Sequence, residues 1–298
     1  MPWQLVVASL AIMPRAIFQA DETLNSRVRE WWNKNPFQYF AMGEEGSWEY
    51  FRNVDRKFLK WTPFMQTGYP FLNKYVDMHG LKGKKVLDIA CGTGVLTEQF
   101  ARMGADVTGL DLTPKAVELT KKRFALYGLQ GNIVEGDAQQ LPFPDNTFDF
   151  VCAWGCLMHM PKTEQAIAEI HRVLEPGGRM FAMMYHKNSV HLRYAIQLYH
   201  GILRMQLLKY DQQSLFNRFS DGVDVGGNQL TKFYTINEFK ILFSPFVEIR
   251  IDIDDTPTVP EVLPHPWLPL GKLLPRRAKR WICKHWGLSA LISARKAG

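Results

Sequence analysis

Residues 86–94 read VLDIACGTG, an apolar strand that runs into a glycine turn and then into a helix. A second apolar strand follows at 105–110, and it ends at Asp111. Strand, turn, helix and strand in this order predict a βαβ unit whose parallel strands end at the same edge of the sheet. The chain has 298 residues, 46% of them hydrophobic, as expected for a globular protein with a sizeable core.

The glycines and acids of this unit indicate a ligand that contains a nucleoside. Gly92 and Gly94 let backbone N–H groups approach a ligand, and Asp111 can accept hydrogen bonds from both ribose hydroxyls. Asp88 lies within the end of the first strand, where an acid repels a pyrophosphate and attracts a cation. A third acid, Asp137, follows the next candidate strand and can accept a bond from an adenine amino group. Two inward-facing acids suit a ligand that carries an ammonium and a sulfonium.

Dinucleotide-dependent oxidoreductases use a similar first βαβ unit and form an alternative class. Their fingerprint requires a small residue three positions after its second glycine, where helix and strand pack closely under the pyrophosphate. In this chain Thr97 occupies that position, and Asp88 adds a charge that a pyrophosphate would avoid. Both residues disfavour the oxidoreductase interpretation.

The motifs together resemble a class I S-adenosylmethionine-dependent methyltransferase, similar to the small-molecule branch that includes the ubiquinone/menaquinone methyltransferases. Five pieces carry the resemblance: VLDIACGTG at 86–94, GLD at 109–111, GDA at 136–138, LPFPDNTFD at 141–149 and VLEPGG at 173–178. The family usually has glycine where this chain has Ala90, which predicts a slightly wider turn.

The resemblance implies an α/β fold, a Rossmann-like seven-stranded and mostly parallel sheet with helices on both faces. The alternation from residue 84 onward favours the same architecture. We predict strands at about 85–90, 105–110, 131–135, 148–154, 178–185, 246–252 and 288–294, the last as an antiparallel edge strand. We predict helices at about 95–103, 114–127, 162–174, 236–243 and 276–286.

Two further segments complete the predicted organisation. Residues 1–80 form an N-terminal helical cap, and residues 81–298 form the methyltransferase domain. A helical lid insertion interrupts that domain at about 188–235, with one helix over 190–210 followed by a glycine-rich loop. An insertion at this point overhangs the carboxyl ends of the strands, where ligands bind in open α/β sheets.

S-adenosylmethionine is the implied cofactor, and its binding residues follow from the resemblance position by position. Asp88 offers negative charge to the ammonium, Asp111 holds the ribose hydroxyls, and Leu112 packs on the adenine. The full predicted set is Asp88, Ala90, Cys91, Gly92, Gly94, Asp111, Leu112, Asp137, Ala138 and Trp154.

The candidate catalytic residues are His159, Tyr185 and His186. His159 follows the fourth strand and can accept a proton near neutral pH, but a backbone carbonyl could equally satisfy its ring. Tyr185 and His186 end the fifth strand and are expected to face the same cleft. Methyl transfer from a sulfonium is an in-line displacement, so the main task of the protein is placement.

The expected function is methyl transfer to a small hydrophobic metabolite. The alternative from another class is a catalytically inactive S-adenosylmethionine-binding regulatory or scaffold protein. Nucleic acid is disfavoured as a substrate, because the fourth strand is followed neither by an Asn/Asp-Pro-Pro-aromatic tetrad nor by a Pro-Cys nucleophile. We expect no metal, since Cys152, Cys156 and His159 would need a loop to gather them.

The net charge of +7 is a property of the C-terminus. After Glu261 the chain has eight basic residues and no acid. The helix at 276–286 therefore fits either peripheral membrane contact or an amphipathic cover on the sheet. Four cysteines without a disulfide rhythm favour a cytoplasmic protein, with membrane association through this helix as an option.

Overall fold

A computed structural model describes residues 15–36, 43–62, 72–254 and 274–298. The described strands are β1 Lys85–Ile89, β2 Asp106–Asp111, β3 Asn132–Glu135, β4 Phe148–Trp154, β5 Leu174–Tyr185, β6 Val247–Ile253 and β7 Ser289–Arg295. They form one sheet in the order β3-β2-β1-β4-β5-β7-β6. The pairs among β1 to β5 are parallel, and β7 is antiparallel to β5 and β6. The predicted seven-stranded, mostly parallel sheet is confirmed.

The antiparallel strand is β7, as predicted, but it does not lie at the edge of the sheet. It inserts between β5 and β6, and β6 takes the outer position. The reason is hydrophobic: β7 buries most of its residues, whereas β6 alternates between exposed and half-buried positions.

The described helices flank this sheet. They are α1 Arg15–Lys34, α2 Trp48–Trp61, α3 Val95–Arg102, α4 Pro114–Tyr127, α5 Thr163–Val173, a π-helix at His191–Leu203, α6 Gln212–Phe219, α7 Ile236–Leu242 and α8 Arg276–Trp286. Local signals set several of their ends. The Thr113 side chain caps α4, which begins at Pro114 and is followed by Gly128 in the left-handed region.

The N-terminal cap is represented by α1 and α2. The side chains of Phe51, Val54 and Phe58 on α2 are buried in the main core. On the same helix Asp55 pairs with the buried Arg123 of α4 at 2.7 Å. Parts of the predicted cap, at 37–42 and 63–71, lie outside the described residues. The boundary at residue 80 stays a prediction.

The lid insertion has a small core of its own, at the end of β5. Five buried residues form it: Leu192, Ile196, Leu215, Phe216 and Phe233. The single helix predicted over 190–210 is too long, because the π-helix ends at Leu203 and Met205 adopts a left-handed φ of 54°. Such a φ breaks the helical path, and the chain continues as a short 3₁₀ turn at Gln206–Leu208.

Helix α8 matches its predicted bounds and packs on the sheet through Cys283, which is fully buried. Its two tryptophans point outward, with Trp281 56% and Trp286 42% exposed. Within the described ranges, no helix is both long and apolar enough to span a bilayer.

Candidate active site

A cleft opens at the carboxyl edge of the sheet, between the ends of β1, β2 and β3 and helix α1. Five predicted site residues line it, namely Ala90, Leu112, Asp137, Ala138 and His159. Asn25 and Val28 of α1 close one side, and Gln139 and Met160 lie among the other lining residues. The cleft is therefore the place where cap, glycine turn and β4 loop meet.

The glycine turn beneath the cleft uses the left-handed backbone three times. Ala90, Gly92 and Gly94 have φ values of 54°, 59° and 79°. Glycine adopts this region freely, whereas alanine does so under strain, which explains the glycine of the resembling family at position 90. A side chain at Gly94 would stand 2.9 Å from the Thr120 methyl carbon, so the turn can lie close to α4 only without one.

Asp88 lies directly under this turn and is 2% exposed. One carboxylate oxygen accepts a hydrogen bond from the Thr97 hydroxyl at 2.6 Å. Burial, together with the nearby charge of Asp111, raises the pKa of Asp88 to about 7 despite that bond. Thr97 is thus a structural partner of Asp88. The pKa of Asp88 is set by burial rather than by a neighbouring cation.

Asp111 is oriented by three donors. One carboxylate oxygen accepts the Gly92 N–H at 3.0 Å, and the other accepts the Thr113 N–H and hydroxyl, each at 2.9 Å. Desolvation raises the pKa of Asp111 even so. The oxygen bonded to the Gly92 N–H can accept a further hydrogen bond, which a residue that binds ribose hydroxyls must be able to do.

Asp137 is linked to the cap by two residues that sequence reasoning missed. Asn25 of α1 donates its amide N–H to one Asp137 oxygen at 2.8 Å. Gln139 donates to Asp137 and to the Asn25 amide oxygen at 3.0 Å. Asn25 and Asp137 are 112 residues apart, so no spacing in the sequence could have connected them.

His159 and Tyr185 meet a third polar residue, Asp221 of the lid loop. The Tyr185 hydroxyl donates to Asp221 at 2.9 Å, and His159 Nε2 lies 3.5 Å from the other Asp221 oxygen. His159 Nδ1 lies 2.7 Å from the Leu230 carbonyl oxygen. A carbonyl only accepts, so Nδ1 carries a proton and Nε2 faces the carboxylate. The backbone-carbonyl interpretation of His159 thus describes its Nδ1, whereas a proton-accepting role for Nε2 stays a prediction.

Other predicted residues lie away from the lining of the cleft. His186 is buried, and its Nδ1 lies 3.3 Å from the Gly287 carbonyl oxygen, so it does not join Tyr185. Consecutive residues of a strand point to opposite faces of the sheet, so Tyr185 and His186 do not face the same cleft, contrary to the prediction. Trp154 stacks on Phe181 with ring centroids 6.1 Å apart. Cys91 is buried with Sγ 3.8 Å from the Thr120 hydroxyl, and burial raises its pKa.

The cysteines near the site are packing residues. Cys152 is fully buried within β4, and Cys156 Sγ contacts the Ile89 carbonyl at 3.7 Å. Among the residues that the structure describes, no cluster of three His, Cys, Asp or Glu side chains could hold a metal ion.

Comparison with known proteins shows which family this chain resembles. Residues 87–182 match a family model described as a methyltransferase domain. The ubiquinone/menaquinone biosynthesis C-methyltransferase UbiE of Psychromonas ingrahamii is 37% identical over 116 residues, which cover 37% of this chain and 46% of that protein. UbiE of Teredinibacter turnerae is 38% identical over 132 residues, covering 42% and 53%. The chain thus spans about half the length of these curated relatives.

A solved structure supports the fold. An S-adenosylmethionine-dependent methyltransferase of Methanosarcina mazei superposes with a TM-score of 0.51 at 20% identity, over 77% of this chain and 98% of that chain. At this identity the likeness concerns the fold alone. With the family match, it confirms the resemblance that the five motifs predicted.

Proposed function

We propose that this chain, whose residues 87–182 form a class I S-adenosylmethionine-dependent methyltransferase domain, transfers a methyl group to a small hydrophobic acceptor. The observation that carries the proposal is one cleft whose lining combines two kinds of chemistry. Asp137 and Ala90 of the glycine turn contribute a carboxylate and a left-handed backbone, and His159 contributes an imidazole. S-adenosylmethionine is the cofactor of such a domain. The alternatives of an inactive binding protein and an oxidoreductase are not favoured by the matches to methyltransferases.

The residues present fit this cofactor. Asp88 is a buried acid with a raised pKa, and an ammonium would favour its charged form. Asp111 keeps acceptor capacity for ribose hydroxyls, and the left-handed turn brings backbone close without side chains. We assign the predicted binding roles to these residues, with Leu112 packing on the adenine and Asp137 and the Ala138 backbone at the adenine edge.

When bound, S-adenosylmethionine supplies a methyl group on a sulfonium that is already a good leaving group. The task of the protein is to orient the acceptor and exclude water, because the reacting charges collapse during transfer. Helix α1 covers the cleft through Asn25, and Trp32 of the same helix lies 5.3 Å from the His159 ring. The cap therefore helps to exclude water from the site.

The lid side provides a place for a proton that an acceptor releases. Neutral His159 is protonated at Nδ1, which leaves Nε2 as the accepting nitrogen. Once Nε2 takes the proton, Asp221 is 3.5 Å away to stabilise the imidazolium. The Tyr185 hydroxyl holds Asp221 in this position. We therefore propose His159 as the general base and Asp221 with Tyr185 as positioning residues.

The hydrophobic acceptor is supported by the surroundings of His159. Val28 and Met160 line the cleft, and the ring of Trp32 lies 5.3 Å from the histidine ring. The curated relatives are named as C-methyltransferases of ubiquinone/menaquinone biosynthesis, which supports a quinol-like or other aromatic acceptor. We further propose a cytoplasmic location, because all four cysteines are free and buried.

Calorimetric titration with S-adenosylmethionine tests the cofactor side. Asp111→Ala should weaken binding by roughly 1–3 kcal/mol, because charge-assisted hydrogen bonds are lost. Asp106→Ala is the matched control, since Asp106 lies at the opposite, exposed end of the same strand. Equal affinities of wild type and Asp111→Ala would place the ribose elsewhere.

Turnover tests the acceptor side. S-adenosylhomocysteine release should be greater with hydrophobic quinols or phenols than with polar acceptors. Asp221→Asn should lower kcat by about tenfold or more with S-adenosylmethionine affinity retained, whereas Asp224→Asn, in the same loop but exposed, should not. Methylation of polar acceptors only would refute the hydrophobic substrate, and an unchanged kcat in Asp221→Asn would remove its positioning role.

A further inference from the structure

The lid carries an exposed apolar surface on the side away from its core. Six side chains between 38% and 77% exposed make up this lid ridge: Leu198, Ile202, Leu203, Met205, Leu207 and Leu208. Single exposed apolar residues are ordinary on a protein surface, but six within eleven consecutive positions form a patch. A patch of this kind marks a surface that meets a partner or a membrane.

The lid does not need this ridge in order to fold. The inward side of the π-helix already buries Leu192 and Ile196 against Leu215 and Phe216 of α6. A helix with one buried face normally presents polar residues on the other. Here the exposed face carries Leu198, Ile202 and Leu203, and the packing of the lid core does not account for these apolar side chains.

The charged residues within the ridge segment itself are basic. Arg204 and Lys209 are exposed, the first within the ridge and the second directly after it, and Arg193 lies one turn before its start. From Lys187 to Tyr210 the sequence contains no Asp or Glu. Aliphatic side chains between basic residues complement an anionic lipid surface, where basic heads remain among the headgroups while the apolar side chains enter the bilayer.

We propose that the lid ridge docks this protein on an anionic lipid bilayer by inserting its tip, residues 202–208, among the lipids. A second copy of this chain fits less well. A twofold interface would bring the ridge against itself and gather Arg204 and Lys209 of both copies in one interface, where their like charges repel.

Helix α8 ends beside the start of the lid insertion and also carries exposed aromatic and basic side chains. It exposes Trp281 and Trp286, and its exposed ionisable residues include Arg280 and Lys284. Directly after α8, the Gly287 carbonyl lies against the ring of His186, the residue at which β5 gives way to the lid insertion. Interfacial tryptophan with basic neighbours is typical of helices that lie on membranes.

Co-sedimentation with vesicles tests the proposal on the full chain. Binding to phosphatidylcholine vesicles that contain phosphatidylglycerol should exceed binding to phosphatidylcholine alone, and it should fall as salt rises. The double variant Leu203→Asp and Leu208→Asp should partition at least about tenfold more weakly. Ile241→Asp is the matched control, because Ile241 is 73% exposed on α7, outside the ridge. It should bind like wild type.

Each other outcome overturns the proposal. Absence of vesicle binding by wild type excludes a lipid partner, and equal binding by the double variant assigns docking to α8 or another surface. Sedimentation that reveals a ridge-dependent dimer without vesicle binding identifies a second copy as the occupant. Circular dichroism and S-adenosylmethionine titration of the double variant show whether it is folded. The proposal does not depend on methyl transfer.

Discussion

Asp88→Asn should stabilise the free protein more at high pH than at low pH. The folded-state pKa of Asp88 is about 7, against an ordinary value of 3.8. Between these two values the folded protein holds a proton that the unfolded chain has already lost. Stability of the wild type therefore falls as pH rises through this window, and the neutral asparagine removes that loss.

The magnitude follows from the width of the window. Between about pH 5 and pH 7 the free energy of unfolding of the wild type falls by about 1.4 kcal/mol per pH unit, or about 3 kcal/mol in all. The asparagine introduced by this substitution keeps an acceptor for the Thr97 hydroxyl, which lies 2.6 Å from the native carboxylate. Its buried amide N–H groups add a cost of about 1–3 kcal/mol that does not vary with pH, so it cancels from the comparison.

Urea unfolding monitored by tryptophan fluorescence, at a series of pH values, measures this effect. The stability difference between Asp88→Asn and wild type should grow by about 3 kcal/mol from about pH 5 to pH 8. Asp106→Asn, at the exposed start of β2, should give a much flatter difference. A flat difference for Asp88→Asn would mean that Asp88 is already ionised at low pH, and the burial argument would fail.

Two other substitutions test how the turn and the cap are held. Arg123→Met should destabilise the protein by about 3 kcal/mol in urea unfolding, since it removes the guanidinium that lies 2.7 Å from both Asp55 and Glu98 and leaves Glu98 with Arg102 alone; a loss below about 1 kcal/mol would contradict this. Gly94→Ala should lower stability by about 2 kcal/mol and weaken S-adenosylmethionine binding, because its φ is 79° and its Cβ would meet Thr120. An unchanged melting temperature would show that the turn relaxes.

The first βαβ unit was predictable because its signals are local. A buried strand, a glycine turn and an apolar strand that ends in Asp111 specify backbone conformation through neighbouring residues. The bounds of α4 and α8 agree with prediction for the same reason, since proline, glycine and apolar periodicity mark them. Local signals were weaker in the lid. Met205 ends the helix there with a left-handed φ, and methionine is not a residue type that predicts such a backbone conformation.

The candidate site was predictable only in part. Ala90, Asp137 and His159 line the cleft as expected, because they follow strands whose ends share one edge. Asn25 and Asp221 were missed, since each reaches the site from a segment distant in the sequence.

The amino-acid sequence by itself determined the strand–turn–helix order, the acids at the strand tips and the basic C-terminus, because these depend on residue type and short spacing. Only the tertiary structure decided that β7 lies inside the sheet, that Tyr185 and not His186 meets His159, and that Asp221 joins them. Those outcomes depend on which buried surfaces pack together across the chain, and packing energy is a property of the whole fold rather than of any one segment.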